Sequence, residues 1–431
     1  MKKILITTFL LLTSCSFDTK SGLWTEDKKL LEENKETRIV FKKEKSITNE
    51  LNQDMRINLK SKLVNNSDHN NFSNNSGRIN FDKNVKTISK FKFKKINNFD
   101  EFEPELVFYN NNFIFFDDRG NIINFDPQSN ISWKISNYSK QEKKLKPLLN
   151  FAIDNEILIV ADNIAKYYAV DLKNGNILWT KKNQNPFNSQ IKIFNDKFYI
   201  VDLNNILRCF SIKNGDEQWS LVTENNFLKS SKRNSLLVQN NTVIFTNSLG
   251  DITAVNANDG SLIWQISTQM SNFYEDAYDL ISSDLVSNID SLVFSNNRND
   301  FYSIYLENGL VKWKQKINSS VRSIIINQII FTISNEGYLF ITDNKTGKII
   351  RITDIFNIYN DKKRSKIKPV GFLIGVNKIY LTTNHGRLIT IDITTGKTIS
   401  VLKIDNEKIS RPFISNKELF VIKKNSIIKL K

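Results

Sequence analysis

Cysteine and histidine are almost missing from this chain, with two of each in 431 residues. His69 lies in a polar tract and His385 beside a turn glycine, so no histidine pair has the spacing of a metal site. Neither a G-x-S-x-G elbow nor a glycine-rich phosphate or dinucleotide motif occurs. These absences count against nucleophilic, metal-dependent and nucleotide chemistry, and the expectation is a protein that is not an enzyme and uses no metal or cofactor. The apolar run at residues 4–12 is too short for the roughly 20 residues that span a bilayer as a helix. Glycine is scarce as well, fourteen in all, and six of those fourteen fall at one place in a repeat.

The repeat reads YYAVDLKNGNILW, LRCFSIKNGDEQW, ITAVNANDGSLIW, FYSIYLENGLVKW, LFITDNKTGKIIR and LITIDITTGKTIS. Each copy is an alternating apolar strand, a turn closed by glycine, and a second strand. A seventh copy, IINFDPQSNISW, comes first and has lost one residue and the glycine. Gly175, Gly215, Gly260, Gly309, Gly347 and Gly396 recur every 38 to 49 residues, the period of a β-propeller. An apolar run such as residues 156–160 precedes each copy, and a less regular strand from the linker makes four. The fold class expected is all-β, an eight-bladed β-propeller of four-stranded antiparallel blades. The eighth blade, at residues 418–430, lacks an outer strand, which residues 88–96 supply by closing the ring from the N-terminal side. Seven blades is the alternative count.

Five of the six tryptophans (Trp133, Trp179, Trp219, Trp264, Trp313) occupy one repeat position, which predicts a structural role between blades. Arg351 and Ser400 stand there in the last two copies. Polar residues four places before the glycine, such as Asp171 and Asp392, are placed to cap the turn. Cys209 lies in a repeat strand and is expected to be buried; Asp117, Asp118 and Asp162 read as solvated turn residues.

The first 85 residues differ in composition. Residues 1–14 have a basic start and an apolar stretch, as a signal peptide does. Leu12-Thr13-Ser14-Cys15 resembles the lipobox of bacterial lipoproteins, which implies a lipidated Cys15 and membrane attachment through acyl chains. Residues 15–85, rich in Lys, Asn, Ser and Glu, are expected to form a flexible polar tether, and residues 86–431 the propeller. The net charge of +16 is spread through the chain without a basic block interleaved with aromatics, so nucleic acid is not the expected partner.

The unit A-V-D-x-x-N-G-x-x-x-W at residues 169–179 resembles the repeat of pyrroloquinoline-quinone (PQQ)-type propellers. That group includes the quinoprotein alcohol dehydrogenases and the BamB family of outer-membrane assembly lipoproteins. The dehydrogenases resemble one another in an adjacent cysteine pair, and this chain has none. Lipobox, single propeller and N-terminal closing strand together resemble the BamB family. That resemblance implies a lipid-anchored protein on the periplasmic face of the outer membrane, docked on the POTRA domains of BamA, with no small-molecule substrate. It also implies partner contacts in two inter-blade loops. In the first, 223–234, these are Leu228, Lys232 and Arg233; in the second, 269–284, they are Asp279 and Asp284. The two loops are expected to form one surface.

Overall fold

The computed structural model describes residues 46–67, 72–224, 232–268 and 280–431. Cys15, the signal segment and residues 16–45 lie outside the described residues, as do His69, Leu228 and Asp279.

The described residues contain eight four-stranded antiparallel sheets, seven of them simple meanders in chain order. Blades one to seven cover residues 107–135, 149–182, 192–222, 236–266, 286–315, 324–354 and 369–403. The second and third strands of a blade are packed on both faces by neighbouring blades, so they read as continuous apolar runs. Ile157–Asp162 and Lys166–Asp171, for instance, are buried along nearly their whole length. The outermost strand alternates, as Ile177–Lys182 shows, because one of its faces meets solvent. Asparagine suits the tight turns between first and second strands, where Asn110, Asn155, Asn240, Asn327 and Asn416 adopt positive φ.

Blade eight closes the ring. Its strands Phe413–Ser415, Glu418–Lys423 and Ser426–Leu430 are completed by Thr87–Lys92, which runs antiparallel to Ser426–Leu430. Phe91 on that closing strand is fully buried and meets Phe113 of blade one edge-on, 4.7 Å between centroids. Closure is therefore both a hydrogen-bonded ladder and a hydrophobic seam.

Each tryptophan lies on the turn of the following blade. The Trp179 ring covers Gly215, where an added Cβ would come within 2.6 Å of it, and Trp219 covers Gly260 in the same way at 2.5 Å. These glycines hold φ of +71° and +75°, so both conformation and space demand glycine. In every such blade the outermost strand carries one extra residue just before the ring, as Leu178 does between Ile177 and Trp179 opposite Val170 and Ala169. The indole N–H of Trp133, Trp179, Trp264 and Trp313 donates to the carbonyls of Leu172, Ile212, Leu306 and Asn344 at 2.8–3.0 Å. Trp219 is the exception: the Tyr199 hydroxyl takes the equivalent Ala257 carbonyl (2.9 Å), and the Trp219 N–H finds no acceptor among the described residues. Asp171, Asn256, Asp343 and Asp392 accept an N–H of their own turn through their side chains; Ser211 contributes only its carbonyl.

Two expectations need correction. Asp117 and Asp162 are not solvated: they are 1% and 0% exposed, and each carboxylate accepts backbone N–H groups of the turn between second and third strands. The tether expected through residue 85 is not free over residues 46–67 and 72–85, which pack along the propeller. Leu51 exchanges both backbone hydrogen bonds with Ile352 (3.1 and 3.0 Å), extending blade six at its outer edge. Ile57 is buried among Ile341, Ile391 and Ile393 in the seam between blades six and seven, where no tryptophan stands. Arg351 fills the tryptophan position there, fully buried. Its guanidinium donates to the Ile393 carbonyl, the counterpart of Leu172, and to the carbonyls of Thr394 and Met55. Ile79 and Phe81 are buried against blade seven. Composition suggested a tether because asparagine and serine look solvated, whereas here Asn52, Asn74, Asn75 and Ser67 bond through their side chains to strand backbone.

Replacing Trp264 with Phe loses a hydrogen bond and leaves a carbonyl unpaired, whereas Trp219→Phe removes a buried N–H that has no partner. Trp264→Phe should therefore cost about 1 kcal/mol more than Trp219→Phe in denaturant unfolding. Equal losses would show that the indole hydrogen bond contributes nothing to the seam.

Candidate functional site: the axial charge network and the face carrying two loops

In an antiparallel meander, inter-blade connections and second-to-third turns share one face of the ring, and the remaining turns share the other. Both loops singled out in the sequence are inter-blade connections, so they lie on the same face. Their central parts, 225–231 and 269–279, are outside the described residues, but their downstream ends meet: Lys232 Nζ donates to the Ser282 carbonyl at 2.6 Å.

The charged side chains at those ends point inward. Arg233 Nη2 donates to Glu105 Oε1 at 2.8 Å, with side-chain exposures of only 10% and 23%. Arg411 and Arg322 approach the same oxygen at 3.6 and 4.0 Å. Asp284 is bound by the Arg322 guanidinium (Nε at 2.9 Å) and by Gln190 Nε2 at 3.1 Å. Lys232 also pairs with Glu103 at 3.4 Å. Lys232, Arg233 and Asp284 are thus brought together, but as members of a network on the propeller axis, not as an exposed partner surface. The inference from loop position to side-chain exposure failed because each residue sits where an innermost strand begins, and those strands converge on the axis.

The N-terminal segment joins the network at Asn74. Asn74, 3% exposed, donates to Gln190 Oε1 (3.2 Å) and to the carbonyls of Leu236 and Leu285, and accepts from Lys192 Nζ at 2.7 Å. Glu105, Arg322, Arg411, Lys192 and Asn74 were not singled out in the sequence. One signal was available, a serine before an axial polar residue, at Ser189-Gln190, Ser283-Asp284 and Ser410-Arg411. Each of these serines accepts a backbone N–H from the second strand of its own blade and donates to the carbonyl of the axial residue, fixing that residue's direction.

Burial raises the Glu105 pKa, but Arg233 and Arg411 outweigh it and hold the carboxyl at about 2. Asp284 is likewise held well below the usual range, its burial overcome by Arg322, Lys232 and Arg233. Cations outnumber anions here, and it is mainly burial, then the like charge of Arg322, that pushes Lys192 down to about 7 and Arg411 to about 10. Cys209 is buried and its thiol is pushed up to about 12 by burial, which suits packing. Among the described residues no three His, Cys, Asp or Glu side chains group as metal ligands, and the axial carboxylates are engaged by arginine.

The family model described as outer membrane protein assembly factor BamB matches residues 118–353, more than half of the chain. The chain belongs to the BamB family. A curated BamB from Moranella endobia is 23% identical over 277 residues, covering 63% of this chain and 68% of that protein. The crystal structure of BamB from Moraxella catarrhalis superposes with a TM-score of 0.65 at 13% identity, covering 80% of this chain and 99% of that one. A europium-containing methanol dehydrogenase gives a TM-score of 0.64 at 10% identity, covering 83% and 89% of the two chains. At such identities the superpositions show the eight-bladed fold alone, and the family rests on the sequence match. Beside the BamB family's ring, no helix among the described residues is long and apolar enough to cross a membrane.

Glu105 and Asp284 both have lowered pKa values, so their stabilising contribution is complete above about pH 4.5 and is lost as pH falls towards 2. Glu105→Gln removes the carboxylate that Arg233 bonds and that Arg411 and Arg322 approach, and should cost about 3 kcal/mol at pH 7. It should also flatten the acid limb of a stability–pH curve measured by chemical denaturation. An unchanged acid limb would remove Glu105 from its place at the centre of the network.

Proposed function

We propose that this member of the BamB family is a non-enzymatic platform of the outer-membrane β-barrel assembly machinery. It is held at the periplasmic face of the outer membrane by acyl chains on Cys15 and docks on the POTRA domains of BamA. Carrying this reading is the meeting of the two loops: the Lys232 to Ser282 hydrogen bond fastens connections four-to-five and three-to-four side by side on one face, as a composite docking surface requires. The axial network supports the non-enzymatic part, because the chain's own arginines and carboxylates occupy the place where the innermost strands converge.

Lys232, Arg233 and Asp284 act in this reading by holding the loops, while the contacts themselves fall to Leu228 and Asp279. A photo-crosslinking amino acid placed at Leu228 or Asp279 in whole cells should capture BamA. Leu228→Asp with Asp279→Lys should abolish its co-purification without lowering the melting temperature, whereas Arg233→Ala should lower that temperature. Retention of BamA by the double variant, with no crosslink from either position, would overturn the docking site.

A further inference from the structure

The connection from blade one to blade two, residues 136–148, is a turn fastened at both ends. Tyr138 anchors its start: the ring is buried against Gly120, and its hydroxyl donates to Asp162 Oδ2 at 2.6 Å. Ser139 and Glu142 then form a capping box, with the Ser139 N–H donating to Glu142 Oε2 at 2.8 Å and the Glu142 N–H to Ser139 Oγ at 3.2 Å. A short 3-10 helix, Glu142–Leu145, follows, and Lys146 leaves it with φ of +53°. At the far end the Leu148 N–H donates to Asn163 Oδ1 at 2.8 Å.

This fastening sorts the charges of the turn. Glu142 is the only acidic residue of the connection, and it is engaged from below by the buried Lys166 Nζ at 2.8 Å, with Lys182 at 3.5 Å. Burial raises its pKa, but Lys166 and the Ser139 N–H outweigh it and hold the carboxyl at about 2. What remains outward is basic and apolar. Lys140, Lys144 and Lys146 are exposed and Lys143 is half-buried, and none of the four pairs with a carboxylate among the described residues. Arg119, exposed in the turn whose Gly120 abuts Tyr138 and Pro147, adds a fifth cation. Leu145 stands among them 62% exposed and belongs to no hydrophobic cluster of the neighbouring blades.

Cations around one aliphatic side chain complement a surface that is anionic outside and apolar just beneath, as a phospholipid bilayer is. Lysine suits mobile headgroups, because its ammonium is a point charge that asks no fixed geometry, whereas a folded acidic partner is better held by bidentate arginine. The N–H groups of Lys143, Lys144 and Lys146 already bond within the turn, so it presents no strand edge to an extended segment. Being preformed, it loses little freedom on contact. We propose that residues 139–146 rest on a membrane surface, with the lysines and Arg119 among anionic phospholipid headgroups and Leu145 in the layer beneath them. The turn shares its face with the two loops proposed to dock, two blades from the nearer one, and this inference rests neither on that docking nor on acylation of Cys15.

The test is co-sedimentation of the full-length chain carrying Cys15→Ser, so that no acyl chain contributes, with phosphatidylcholine vesicles made with or without phosphatidylglycerol. The chain should sediment with the vesicles that contain phosphatidylglycerol, and less so as salt is raised. Lys144→Gln with Lys146→Gln should weaken that binding about thirtyfold, and Leu145→Ser about tenfold, without lowering the melting temperature. Lys397→Gln with Lys403→Gln, an equal loss of charge from exposed positions on blade seven, should leave it unchanged. Absence of binding, or binding that the turn's lysine pair weakens no more than the blade-seven pair does, would overturn the proposal. So would a photo-crosslinking amino acid at Leu145 that captured an acidic protein in whole cells and no phospholipid.

Discussion

A flat indole from one blade lies on the Cα of a positive-φ glycine in the next, and from this contact the ring is assembled. The ring needs a surface without a Cβ, the glycine turn needs a neighbour that excludes water from its carbonyls, and the outermost-strand bulge lets the two meet. Because donor and acceptor belong to different blades, each copy stabilises the seam and not the blade that carries it. That is the usual energetics of repeat architectures, in which a unit is completed by its neighbour.

Where the tryptophan is replaced, the substitution stays within the same geometry. Arg351 reaches the Ile393 carbonyl as an indole would, but a guanidinium has more donors than that carbonyl can satisfy. Met55 and Thr394 carbonyls take up further N–H groups, and Ile57 occupies the space that a ring would have covered. The N-terminal segment is therefore part of the propeller's packing. Its course along blades five, six and seven and onto the axis follows from the same requirement that buried polar groups be paired.

The axis obeys a different rule. Eight innermost strands converge there, leaving room for polar side chains but little solvent, so charge must be balanced from within. Glu105 and Asp284 are ionised because arginines surround them, and Lys192 carries the strain of the cationic excess. Buried ion pairs of this kind add little net stability, but losing one partner is costly. Loop ends anchored in such a network are held in place.

Local periodicity was enough to determine the blades. The glycine spacing, the single tryptophan position and the continuous apolar runs all report interactions within about 40 residues, and they predicted eight blades with an N-terminal closing strand. The tertiary structure alone decided the rest. It placed residues 46–67 and 72–85 on the ring and turned Lys232, Arg233 and Asp284 inward. The course of the N-terminal segment depends on amides, hydroxyls and guanidinium groups bonding to backbone more than a hundred residues away, as Asn74 does with Leu236 and Leu285, and the inward charges depend on ion pairs between different blades. Such bonds impose no period and no composition on the chain, so nothing in the order of residues announces them.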